Sequence, residues 1–204
     1  MKHIEFLVEE LSAEAALANL LPKILGDRAT FSIHVHGGKT GLLDKLPGRL
    51  RGYKAWLPEN YRIVVLIDED RADCKRLKAD LEQVARNAGF VTKTTAGIRA
   101  NFQILNRVAV EELEAWFFGD TEALALAYPG VPVGLERKAR FRDPDAIGGG
   151  TWEALERVLQ RAGFHRAGLA KIAAARAISA HMEPDRNRSR SFQTFRSGLL
   201  AAIA

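Results

Sequence analysis

Five consecutive apolar residues, Ile63-Val64-Val65-Leu66-Ile67, end abruptly in Asp68-Glu69-Asp70. A β-branched and leucine run with no polar alternation predicts a strand buried on both faces, as in a parallel sheet. The carboxyl end of that strand delivers two aspartates, two residues apart, to the same face. In open α/β sheets this is the edge at which ligands bind. Two carboxylates converging there suit a hard divalent cation such as Mg²⁺ (or Mn²⁺), which takes oxygen ligands and often bridges to phosphate.

The remaining pattern alternates in the same way. Ile4 to Val8 is a short apolar strand, followed by a helix over Ala13 to Leu25 with Ser12 as its N-cap and Gly26 as its stop. Phe31 to His36 predicts a second strand, and Leu42 to Tyr53 a basic amphipathic helix interrupted by Pro47. After the acid-tipped strand, Asp70 or Ala72 starts a helix with Leu77, Leu81, Val84 and Ala85 on one face and Gly89 closing it. Gln103 to Val110 is the next strand, and Glu111 to Phe118 a helix with Leu113, Trp116 and Phe117 at helical spacing. Strands alternating with helices predict an α/β fold with a largely parallel sheet flanked by helices.

From Tyr128 to Gly150 prolines, a basic RKARFR segment and three successive glycines read as an irregular connection. Helices are predicted beyond it over Thr151–Gln160, Leu169–Ala180 and Phe192–Ile203. This divides the chain into an α/β domain over 1–127 and a helical C-terminal extension over 128–204 packed on it. Charge divides it too. Residues 1–136 carry 17 Lys/Arg and 19 Asp/Glu, a net −2, whereas residues 137–204 carry 13 and 6, a net +7. A basic extension fits a polyanionic partner such as nucleic acid, and equally a solvated helical surface. No transmembrane run and no signal peptide are evident, and the single cysteine, Cys74, excludes an internal disulfide, so a cytoplasmic protein is expected. Oligomeric state is not legible.

Three acidic clusters follow strands: Glu9-Glu10, Asp68-Glu69-Asp70 and Glu111-Glu112. In a parallel sheet all three emerge at one edge, where like charges repel by several kcal/mol at reduced dielectric unless a cation neutralises them. A metal site accounts for Glu9, Asp68 and Asp70, with Glu112 as a further ligand. Glu69 reads instead as a helix-start acid favoured by the helix dipole.

The order of a strand-borne glutamate in VEE, a helix, a second strand and a DxD-ended third strand resembles the Toprim domain. That domain is found in topoisomerases, bacterial primases and nucleases of the overcoming-lysogenization-defect type. More closely, FLVEELSAE, LIDEDRADC, AVEELEAWFFGD, FRDPDAI and NRSRSF resemble the Toprim-like domain of unknown function family 4276 over nearly the whole chain. The resemblance implies that Glu9 acts as general acid/base or metal ligand and that Asp68 and Asp70 hold Mg²⁺. Glu10 stands where many Toprim proteins have glycine, so the choice between Glu9 and Glu10 stays open. Members of the group occur beside ATPase genes in bacterial defence loci, which implies an ATPase partner.

The implied chemistry is metal-dependent phosphoryl transfer, most simply phosphodiester hydrolysis on nucleic acid. A non-catalytic regulatory or interaction subunit on the same fold is the alternative. Strand passage and primer synthesis lack a tyrosine context or a zinc module. Gly37-Gly38-Lys39-Thr40-Gly41 is not a phosphate loop, because Ile33 stands where its first glycine is needed, although Lys39 remains a phosphate contact. His34 and His36 share a strand face without a third ligand, so zinc is not expected. In Asn187-Arg188-Ser189-Arg190-Ser191-Phe192, Arg188 and Arg190 would grip phosphate. Equally, the segment caps the final helix and sends Phe192 and Phe195 into the core.

Overall fold

The computed structural model describes residues 1–70, 72–97 and 101–204. Its sheet is built from β1 (Lys2–Val8), β2 (Ala29–Val35), β3 (Tyr61–Asp68) and β4 (Ile104–Ala109). All neighbours are parallel, in the order β2-β1-β3-β4. The expected α/β, Rossmann-like architecture of a parallel sheet flanked by helices is thus present. Residues 63 to 67 are at most 3% exposed, as an apolar run without alternation requires.

Period-two alternation divides these strands between two cores. Ile4, Phe6, Val8, Val64 and Leu66 face one side; Leu7, Ile63, Val65 and Ile67 face the other. The second side is covered by α2 (Lys39–Trp56) and α3 (Cys74–Asn87), through Leu42, Leu46, Leu50, Leu77 and Leu81. The first is covered by α1 (Leu11–Leu25) and, at the far end of the chain, by α9 (Arg190–Ile203). Between them in sequence lie the single turn α4 (Lys93–Ala96), then α5 (Glu114–Gly119), α6 (Thr121–Ala127), α7 (Thr151–Arg161) and α8 (Lys171–His181). α8 packs on α1, and one apolar cluster runs from Ile4 through Trp116 and Leu155 to Leu199.

Several element boundaries differ from expectation for local reasons. α2 runs straight through Pro47, and α1 begins at Leu11 with Glu10, not Ser12, at its N-cap. α3 starts only at Cys74, because the Asp73 carboxylate accepts the Lys75 and Arg76 N–H groups. α5 starts at Glu114 because Glu111 takes φ +62°, a left-handed conformation that interrupts a right-handed helix. The NRSRSF segment takes the capping role. Ser189 Oγ accepts the Phe192 N–H, and Phe192 and Phe195 are fully buried against Trp116.

Candidate functional site

The strand order creates a switch point. From β1 the chain crosses to β2 on one side of the sheet, and from β3 it crosses to β4 on the other. α1 and α3, the helices that follow β1 and β3, lie on opposite faces, which opens a crevice at the carboxyl ends of these two central strands. Glu9 immediately follows β1 and Asp68 ends β3.

Glu9 is 7% exposed, and its Oε1 accepts the Asp68 N–H at 2.6 Å. Burial raises its pKa to about 7, with the Asp68 N–H opposing and Asp70 adding to the rise. Asp68 is half-buried, and burial first, then the charges of Glu114, Glu9 and Asp70, push its pKa well above the ordinary carboxylate range. A group this strongly favoured in its neutral form marks an unneutralised concentration of carboxylates.

Asp70 is presented differently. The strand stops at Asp68, and Asp70 adopts φ +52°, so the simple alternation that would align the two aspartates ends between them. The Asp70 N–H donates to Glu111 O at 2.7 Å, and its Oδ2 accepts from Lys39 Nζ at 3.0 Å. Lys39 stands at the start of α2, where Gly37 and Gly38 at φ +76° and +98° turn the chain and Gly38 N–H donates to Glu9 O. Its ammonium also donates to Asp68 O and Glu69 O, at 2.7 and 2.8 Å. Lys39 is therefore a cation held inside the loop that follows β3. Glu69 ties that loop down, accepting the Cys74 N–H at the start of α3 and the Glu111 N–H.

Glu114 completes the acidic group and was not singled out by sequence. It is 3% exposed in the first turn of α5, and burial raises its pKa to about 7 against the opposing charge of Lys171. Its signal was present: a glutamate flanked by Leu113, Trp116 and Phe117 falls on a helix whose every residue is buried.

Glu112 is engaged at a helix start. Its Oε2 accepts the Thr151 N–H, the Thr151 hydroxyl and the Trp152 N–H at 3.1, 2.7 and 2.9 Å and so caps α7, while its charge adds to the rise at Glu114. Arg188 donates to the carbonyls of Arg142 and Phe118, and Arg190 lines cavities along the edge of β4.

Oxygen-only donors and mutually repelling carboxylates are chemically suited to Mg²⁺ or Mn²⁺. Among the described residues, however, no three His, Cys, Asp or Glu side chains stand in a ready coordinating group. Lys39 engages Asp70 through Oδ2 alone. His34 Nε2 lies 2.6 Å from Glu5 Oε2.

An open parallel sheet with carboxylates at its switch point defines an α/β protein of Rossmann-like class with a candidate anionic site. Within that class the chain belongs to the family described as Domain of unknown function (DUF4276), whose model matches residues 8–200. No curated protein matches it, and no solved structure does. Among the described residues no helix is long and apolar enough to cross a membrane.

Proposed function

We propose that the chain is a divalent-cation-dependent phosphodiester hydrolase of the Toprim type acting on nucleic acid. The observation that carries this reading is the convergence of Glu9, Asp68 and Glu114 at the switch point, with two of the three carboxyls raised to about 7. Asp68 and Asp70 would hold the Mg²⁺ or Mn²⁺, which when bound supplies charge neutralisation at phosphate and a more acidic water. Glu9, poised near neutrality, takes a proton from the attacking water or returns one to the leaving oxygen. Lys39, released from Asp70, would pair with a phosphate oxygen. The resemblance to the defence-associated Toprim-like group supports a cytoplasmic setting beside an ATPase partner.

One observation favours a second reading, a non-catalytic regulatory subunit: Lys39 already satisfies Asp70 and two carbonyls of the β3 loop. Purified protein incubated with DNA and RNA, with and without Mn²⁺ or Mg²⁺, separates the two. Metal-dependent cleavage abolished by Asp68→Asn and Glu9→Gln supports the hydrolase. Absence of divalent-ion binding, together with identical behaviour of wild type and Asp68→Asn, leaves the regulatory reading.

A further inference from the structure

Of the two edge strands, β2 and β4, the latter has β3 on one side only. Beyond a single bridge between Thr92 and Ile104, no strand covers its other side among the described residues. A cavity of about 430 Å³ occupies that edge, walled by residues of α3 and α9. A second of about 470 Å³ continues it towards Lys93, and the two share Arg107, Arg190 and Thr194. Lys75, Lys78, Lys93, Arg107 and Arg190 line the combined groove. Of the two acids there, Asp145 is consumed at the start of α9, where it accepts from Ser189 Oγ, Arg190 N–H and both the N–H and hydroxyl of Ser191.

Arg107 stands where the cavities meet. Its Nε and Nη1 donate to Thr194 O and Asn106 O at 3.2 and 3.0 Å, which fixes the plane of the guanidinium. It passes α9 at Gly198, where a Cβ would come within 2.7 Å of Nη2, so glycine makes the room. No ion pair among the described residues engages Arg107, Arg190, Lys93 or Lys75. A half-buried guanidinium hydrogen-bonded only to neutral carbonyls, with Glu82 near it but making no ion pair to it, is suited to an external anion. Beside it Asn106 is fully buried; its Nδ2 donates to Glu82, while its Oδ1 has no donor. The groove ends at Cys74 and Val110. Both adjoin the crevice, since Cys74 N–H is bound by Glu69 and Glu111 O receives the Asp70 N–H.

We propose that this groove binds the phosphodiester backbone of a nucleic-acid strand and leads it along the β4 edge to the carboxylates at the switch point. Recognition is through consecutive phosphates on Lys93, Arg107 and Arg190. The destination rests on the hydrolase reading; the binding does not, because it uses neither Glu9 nor a metal.

Fluorescence anisotropy of labelled single-stranded and duplex DNA, measured without divalent metal over a range of salt, tests this. Lys93→Glu and Arg190→Glu should each weaken binding about tenfold and lower the salt slope by about 1, whereas Lys45→Glu on α2 should change nothing. Equal losses from Lys45→Glu, or wild type that binds neither DNA at low salt, overturn the proposal. Groove variants that bind and cut like wild type remove the groove while leaving the hydrolase. Groove-dependent binding by a protein that cuts nothing removes the hydrolase while leaving the groove.

Discussion

Glu9→Gln puts the electrostatics of the crevice to a direct test. The Glu9 carboxyl moves from an ordinary 4.5 to about 7 on folding, chiefly because it is buried. Each tenfold change in proton affinity is worth 1.36 kcal/mol, so this rise corresponds to about 3 kcal/mol at most. The sign follows from which state keeps the proton. Between about pH 4.5 and 7 the unfolded chain has released it and the folded chain still holds it, so stability falls as pH rises. The favourable contribution is complete below the unfolded value and is lost as pH passes about 7. Glutamine retains the acceptor for the Asp68 N–H but cannot ionise. The variant should therefore gain on wild type with rising pH, by up to about 3 kcal/mol between about pH 4.5 and pH 8. Denaturant unfolding followed through tryptophan fluorescence, with Trp116 fully buried, reads this difference. Parallel pH profiles for the two proteins would refute the argument and show that Glu9 is solvated as freely in the fold as in the unfolded chain.

Lys39→Met should cost about 1–2 kcal/mol, since the ammonium makes three hydrogen bonds. It should also move the Glu9 transition to higher pH in the same titration, because Lys39 opposes the rise at Glu9. Asp145→Ala removes the acceptor of four hydrogen bonds at the start of α9 and should destabilise by about 2–3 kcal/mol in chemical denaturation, with Asp145→Asn losing less. Glu112→Gln should cost about 1 kcal/mol at the α7 cap and leave any metal-dependent cleavage unchanged; loss of cleavage in a stably folded variant would place Glu112 in the site.

The strands were legible because burial on two faces leaves a signature that needs no partner: Ile63 to Ile67 could hardly be anything else. The helices were legible where an apolar stripe recurs, as at Leu77, Leu81 and Ala85. What escaped was set by residues far apart in the chain. Glu112 is claimed by Thr151 and Asp145 by Ser189 and Ser191, and neither bond has a local spacing to betray it. The left-handed turns at Asp70 and Glu111 carry no glycine to announce them, and they redirect the second aspartate and delay α5. Glu114 was hidden because an acid within an apolar segment is ordinarily assigned to the solvated side.

The position of α9 has a consequence for how the molecule comes to be made. Phe195 meets Phe6 of β1 and Trp116 of α5, and Leu199 lies in the same cluster, so one face of the sheet is sealed by the last of the described helices to leave a ribosome. Until then the nascent chain carries β1 and β4 with an uncovered aromatic flank, the kind of surface on which incomplete chains associate. Native packing on this face is thus deferred until α9 has been made, and chains stopped short of Arg190 would be substrates for chaperones and proteases before they could be anything else.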